Sequence, residues 1–433
     1  VWELRILLRA TPSTLKANNK TKNLRAGHRS LWPPPSRKLA AITAKYIASG
    51  RSMSIAGRRG PVLKLEQWFE REHPNRYALS FSSGTMALQA AFFAAGLKPG
   101  DRVAATIYSY HATVTPLLQF GVHIDFVDVE NDTGNLSPEA LAATLGSKHK
   151  LLVTNHMWGH PVDVPAIRSV LAANAPDCLR VEDCSHALFA ECEGKRVGTF
   201  GDLSVVSLQA NKILPAGEGG MLLVTDPTLH DRASCFAYSL ERTATSLLTE
   251  RYRPLARTGF GLKHRLHPLG ALMALYYARH HLDSWIEARR IAHTRLQKAI
   301  GESSLFEPMT LRPYVTHMGA WYGMKPRLRA GTVPPEILCQ AATSLDLDIS
   351  RPGSGRMNQL PLFADEIYLQ DSLMNTTNLH HSPIFRGASE YLTGRLSFPT
   401  FHETQPDPDL ECFLAGLQYL ERAFGNGCKR PLR

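Results

Sequence analysis

The chain predicts an α/β fold in which a predominantly parallel sheet is covered on both faces by helices. Two observations carry this expectation. Between Tyr77 and Val224 short β-rich runs alternate with helical stretches, the pattern left by strand–helix–strand crossovers in a parallel sheet. With 433 residues, 44% hydrophobic and 20% charged, the chain is also long and apolar enough to bury a large core and to divide into two lobes.

Taken in order, Trp32-Pro33-Pro34-Pro35 ends an N-terminal arm, and Ser36 stands where it can cap a helix over 37–49. A second helix over 61–73 puts Val62, Leu65 and Phe69 at helical spacing. Strands follow at Tyr77–Phe81, Arg102–Thr106, His123–Val127, 150–155 and 179–182, interleaved with helices over 84–95, 114–120, 138–145 and 164–173. Leu203–Ser207 and Gly220–Val224 read as paired strands. A long helix over 268–299 begins with Pro268 in its first turn. Beyond it, short strands and helices form a smaller C-terminal α+β lobe, closed by a helix over 407–424 with Asp407 as N-cap and Pro408 in the first turn. The expected division is an arm at 1–31, a large domain at 32–300 and a small domain at 301–433.

The formal net charge is +11, but residues 1–59 hold thirteen Lys/Arg against the single acid Glu3, which leaves the remainder with 36 basic and 37 acidic residues. The body is nearly neutral. A nucleic-acid groove needs basic residues spread over a folded face, so nucleic acid is not an expected partner. The arm is basic, contains Ser, Thr and Asn, and is almost free of acid; its composition resembles an organelle transit peptide, but a solvated, disordered tail is the expected reading. No apolar run reaches the length needed to cross a bilayer. The seven cysteines form no Cys-x-x-Cys pair, which fits reduced thiols and a cytoplasmic location. Cys178, Cys184 and Cys192 with His186 match no zinc spacing, and buried small apolar residues explain them better.

Four segments carry chemistry. Phe81-Ser82-Ser83-Gly84-Thr85 joins a strand to a helix whose N-terminus can bind a phosphate through Ser83, Gly84 and Thr85; alone it is also an ordinary N-cap. Tyr110 follows the next strand, at the edge where open α/β sheets place ligands, and can stack on a flat ring; tyrosines in loops also simply pack. Asp183 ends a strand and His186 follows three residues later. Glu182 has the opposite strand parity and should face away. Ser207 ends a further strand, and Lys212 lies in the loop before Gly217-Glu218-Gly219-Gly220. An aldehyde cofactor needs an amine to hold it as a Schiff base and a carboxylate to keep its ring nitrogen protonated. Lys212 and Asp183 suit those roles, which points to pyridoxal 5'-phosphate (PLP). Freed Lys212 could then move protons at the reacting carbon.

Ser83-Gly84-Thr85, Pro99-Gly100-Asp101, Phe126-Val127-Asp128, Gly159 to Asp163, Glu182-Asp183 with His186, Gly198 to Asp202, Ser207 with Lys212, and Gly217 to Gly220 stand in the order and spacing of the DegT/StrS sugar aminotransferases. The chain resembles that family over roughly residues 32–425. The resemblance implies a fold-type I PLP-dependent transferase with a mostly parallel seven-stranded sheet, and a homodimer with shared active sites. It implies amino transfer from an amino acid donor, glutamate or glutamine, to a keto acceptor, commonly a nucleotide-linked keto sugar. It also gives His186 a place near the cofactor's phenolic oxygen. The chain departs from the family at Lys263, where Asn usually reaches the partner subunit's phosphate; a lysine still serves as a point charge. His160 stands where Gln is commoner, and Met157-Trp158 replaces Leu-Tyr. His160 reads as a loop-packing residue rather than a substrate contact. Lys212 argues against the histidine-bearing deoxygenases. A PLP-dependent dehydratase, an aromatizing or aminocyclitol enzyme, or a non-catalytic PLP-fold regulator are the alternatives. The residues that choose the acceptor are expected in loops at 311–324 and 375–386.

Overall fold

The computed structural model describes residues 32–54, 58–319, 321–365, 385–402 and 407–425; the basic arm and most of the loop at 375–386 lie outside them. The first helix, α1 (Arg37–Ala48), begins where Ser36 Oγ accepts the Leu39 N–H at 3.1 Å, as the capping signal requires. Helix α2 (Gly60–Glu72) buries Val62, Leu65 and Phe69. Each such side chain contributes about 1.5–3 kcal/mol by leaving water.

The central sheet is assembled from β1 (Tyr77–Phe81), β2 (Arg102–Thr106), β3 (His123–Val127), β4 (His149–Asn155), β5 (Leu179–Asp183), β8 (Leu203–Ser207) and β9 (Gly220–Val224), with two short strands, β6 (Ala190–Cys192) and β7 (Lys195–Arg196), in the excursion before β8. Its spatial order is β1-β9-β8-β5-β4-β2-β3. Only β9 runs against its neighbours, so the C-terminal ends of β1, β2, β3, β4, β5 and β8 share one edge. Helices α3 (Gly84–Ala94), α4 (Pro138–Thr144), α5 (Val164–Asn174) and α6 (Pro227–Ala237) accompany the strands. Both faces are covered: Leu79, Val181 and Val205 pack with Ala91 and Phe92 of α3 on one, while Ala78, Val206 and Leu223 pack with Leu65 and Phe69 of α2 on the other. This burial explains the continuous apolar runs in the strands.

Two expected elements differ. The stretch 268–299 is two helices, α8 (Pro268–His280) and α9 (Leu282–Gly301), preceded by the short α7 (Glu241–Ser246). The break falls at His281 (φ −135°, ψ −28°), whose ring stacks on Trp285, one turn further on, at 5.2 Å; no Pro or Gly marks it. Residues 114–120 wind as the 3-10 helix Thr115–Phe120, with Pro116 in its first turn and Gly121 left-handed (φ 63°) at its end, too tightly bounded for an α-helix.

A further apolar cluster unites Ala292, Leu296 and Ile300 of α9 with Phe306, Leu338, Phe398 and Leu410. Around it lie β10 (Phe306–Glu307), β11 (Val315–Met318), β12 (Arg327–Leu328), α10 (Pro335–Ser344) and α11 (Pro408–Phe424). Asp407 caps α11 by accepting the Asp409 and Leu410 N–H groups. No helix among the described residues is long and apolar enough to cross a membrane.

Candidate functional site

At the shared C-terminal edge of the strands lies a cavity of about 420 Å³, the position that open α/β sheets give to ligands. One end is the start of α3. Ser83 Oγ accepts the Met86 N–H at 3.1 Å, and the unpaired N–H groups and positive dipole end of the helix border the cavity with Gly84 and Thr85. Two glycines allow the close approach. A Cβ on Gly84 would lie 3.0 Å from Ser207 Cβ, and one on Gly220 would lie 2.4 Å from the Ser83 carbonyl oxygen. Ser207 is thereby held against the helix start.

Asp183, buried at the end of β5, anchors the floor. Its Oδ1 accepts the Ser185 N–H at 3.0 Å and its Oδ2 accepts the Thr113 hydroxyl at 2.7 Å. Because a carboxylate only accepts, the Thr113 proton is committed. Ser109 Oγ must then donate to Thr113 (2.7 Å), and Asn155 Nδ2 donates to Ser109 (2.9 Å). The chain of donors therefore runs one way, toward Asp183. Asn155 Oδ1 is buried without a hydrogen-bond partner among the described residues.

Glu182 faces the opposite side, as strand parity predicts. It accepts from Gly198, Phe200 and Gly201 N–H groups, from Ser204 Oγ and from His156 Nε2. Burial disfavours its charge, but the His156 hydrogen bond and the Arg180 guanidinium outweigh that and hold the carboxyl well below its usual range. His156 Nδ1 accepts the Val162 N–H, which fixes a neutral ring with Nε2 as donor. His156, Glu182 and Cys184 are close enough to frame a metal ion, yet the first two are committed to these hydrogen bonds.

Lys212 sits in the loop between β8 and β9. Its N–H donates to Gln209 O at 2.8 Å, and Trp32 Nε1 donates to its carbonyl at 3.1 Å. The amine lies 4.2 Å over the Tyr322 ring. Burial draws it down to about 8, against the attraction of the Asp183 carboxylate. His186 stacks on Tyr322 (4.1 Å, 8° between planes) and on Trp158 (5.3 Å, 19°). Burial and the Lys212 and Lys325 ammonium groups push His186 well below its ordinary range, so it meets a ligand as a neutral ring. Tyr110 borders the same cavity and is 55% exposed, which leaves it open to a stacking ligand.

The structure thus brings together Ser83, Gly84, Thr85, Tyr110, Asp183, His186, Ser207 and Lys212 around one cavity. Lys263 is exposed and lies outside it within its own chain. His160 is buried in loop packing, with Nδ1 2.7 Å from Pro161 O and Asn135 Nδ2 donating to its carbonyl. The sequence reading missed Ser109, Thr113, Asn155, Trp158 as a stacking wall, and Tyr322. Ser109 lies just past β2, Thr113 in the 3-10 turn His111–Thr113 beyond it, and Asn155 ends β4, a positional signal; Tyr322 gives none. An amine nucleophile, a carboxylate bound by two donors, a stacking tyrosine and a helix N-terminus framing one cavity fit PLP, a cofactor needing those contacts.

The architecture is that of fold-type I PLP enzymes. An aminotransferase from Psychrobacter cryohalolentis superposes with a TM-score of 0.78 at 21% identity, covering 90% of this chain and 98% of that one. The 3-amino-5-hydroxybenzoic acid synthase structure gives 0.71 at 20%, covering 90% and 98%. In sequence, the chain is 35% identical over 182 residues to GDP-perosamine synthase of Escherichia coli O157:H7, covering 42% of this chain and 50% of that protein. It is 31% identical over 206 residues to L-glutamine:2-deoxy-scyllo-inosose aminotransferase of Streptomyces kanamyceticus, covering 47% and 48%. The chain spans about half the length of these curated relatives. A family model matches residues 45–385, and with the site geometry above, it follows that the chain belongs to the DegT/DnrJ/EryC1/StrS aminotransferase family.

Proposed function

We propose that the protein is a PLP-dependent aminotransferase that moves an amino group from an amino acid donor, glutamate or glutamine, to a keto sugar, in particular a nucleotide-linked one. The observation that carries this reading is the Lys212 amine and the Asp183 carboxylate bordering one cavity beside the N-terminus of α3. Relatives named as a GDP-perosamine synthase and an inosose aminotransferase support a polyhydroxylated ketone as acceptor.

When bound, PLP supplies an electrophilic aldehyde and a ring that accepts the electrons of a substrate carbanion. Ser83, Gly84, Thr85 and Ser207 would bind its phosphate. Asp183 would hold the ring nitrogen protonated, Tyr110 would offer a face to the ring, and neutral His186 would face its phenolic oxygen. Lys212, depressed to about 8, has a substantial neutral fraction near neutral pH, which makes its amine a competent nucleophile. The same amine would serve as the general acid–base that moves a proton at the reacting carbon. In the homodimer that this reading requires, Lys263, exposed on its own chain, would reach the phosphate of the other subunit's site as a point charge.

Incubation with L-glutamate or L-glutamine and a panel of keto sugars and keto-cyclitols tests this. The expected products are the donor's 2-oxo acid and the aminated acceptor in equal amounts. An aminated ketone without 2-oxo acid, or turnover by Lys212→Ala, would refute it. A dehydratase or aromatizing enzyme of the same fold would consume its substrate without releasing that oxo acid, and a non-catalytic regulator would leave every ketone unchanged.

A further inference from the structure

A second cavity, of about 660 Å³, adjoins the first and shares Tyr110, His186, Asn211 and Tyr322 with it. It opens toward Lys212 on one side and reaches the C-terminal lobe on the other. In its wall, Lys325 is only 3% exposed. Its amine lies 4.0 Å over the Trp158 ring and makes no ion pair among the described residues.

The surroundings are arranged around that amine. Trp158 adopts left-handed backbone geometry (φ 59°), strained for so large a side chain, and the strain sets its indole between His186 and Lys325. Gly323 leaves space for the amine: a Cβ there would lie 2.5 Å from Lys325 Nζ. Ser350 and Ser397, paired through their backbones, border the same cavity and offer hydroxyl donors. Desolvation draws Lys325 down to about 7, while Asp348 favours its charge. Asp348 borders the same cavity, and an oxyanion entering this ligand-sized space would add to its pull and offset the hydration that the charged amine loses.

We infer that Lys325 is the anion anchor of the second cavity and receives a carboxylate or phosphate of the molecule that reacts at Lys212. This rests on the aminotransferase reading for the identity of the reaction, not for the binding itself. The shared chemistry is an oxyanion accepting a charge-assisted hydrogen bond. It has two sources, a carboxylate of the amino acid donor and a phosphate of a nucleotide-linked acceptor.

Calorimetric titration of the cofactor-loaded protein with glutarate and, separately, with inorganic phosphate tests the inference. Wild-type protein is expected to bind at least one probe saturably, and Lys325→Met to bind it about tenfold more weakly or worse, with the cofactor's visible absorbance unchanged. Lys325→Gln, closer in polarity, serves where methionine disturbs folding. Binding of glutarate assigns the anchor to the donor, and binding of phosphate to the acceptor. Equal affinities in wild type and both variants, or no saturable binding of either probe to wild type, overturn the anchor. Lys212→Ala should retain the probe binding, so a protein that binds the anion but never forms an oxo acid sinks the aminotransferase reading and leaves the anchor standing.

Discussion

Thr113 and Asp183, 70 residues apart, are joined by a 2.7 Å hydrogen bond in which the hydroxyl donates to Oδ2. It is the last link of the one-way donor chain from Asn155 through Ser109. Such a chain polarises each successive bond and fixes the carboxylate's orientation. Thr113→Val keeps the shape and removes the donor. The single-turnover rate with glutamate should fall about 10- to 100-fold, the worth of a hydrogen bond to a charged group, while cofactor absorbance persists and Thr113→Ser restores most of the rate. A valine variant with the wild-type rate would remove any role for the chain.

Asp183→Asn should retain the cofactor and lose most of the turnover, because an amide cannot hold the ring nitrogen protonated. Equilibrium binding and steady-state rates check the two halves separately; unchanged activity would rule out the pairing with Asp183.

Lys212 predicts a pH signature. Its amine is depressed to about 8, so capture of PLP by the apoprotein should accelerate as pH rises through about 8, followed by stopped-flow absorbance. The stability sign follows. Between about 8 and the ordinary lysine value the unfolded chain binds the extra proton, so Lys212 favours unfolding less as pH rises across that window, and its penalty is full below about 8. Apo Lys212→Met should lose that rise in midpoint temperature.

Glu182→Ala should lower unfolding stability by about 3–5 kcal/mol, since it strands His156 and the loop N–H groups of Gly198, Phe200 and Gly201. Urea denaturation measures the loss. The surviving folded fraction should keep normal cofactor absorbance, because Glu182 does not border the cavity; its depressed carboxyl adds that wild-type stability drops as pH falls below the ordinary glutamate range.

Gly220→Ala places a Cβ 2.4 Å from Ser83 O and 2.6 Å from Gly84 N, backbone atoms that cannot rotate away. A cost of about 3 kcal/mol and weaker PLP binding are expected from thermal melts with and without cofactor. A neutral substitution would show that β9 and the α3 start can separate freely.

Much of this site was legible because it is built from strand ends. Asp183 and Glu182 are told apart by parity alone, and the Ser36 and Asp407 caps are local signals that the packing had no reason to override. What escaped was tertiary. Tyr322 reaches Lys212 from a remote part of the chain, and nothing in the residues around the lysine announces it. Thr113 lies between the strand ending at Thr106 and the helix expected over 114–120, and only its partner 70 positions away gives it meaning.

The indole of Trp32 grips the Lys212 carbonyl from outside the cavity and also packs on Trp285 and His402. A recombinant version trimmed past that tryptophan would still contain every residue proposed to meet PLP, yet the loop carrying Lys212 would be unlatched at its outer side. Shortened expression products of this chain should therefore be judged by how firmly they grip the vitamin, and not by whether they stay in solution.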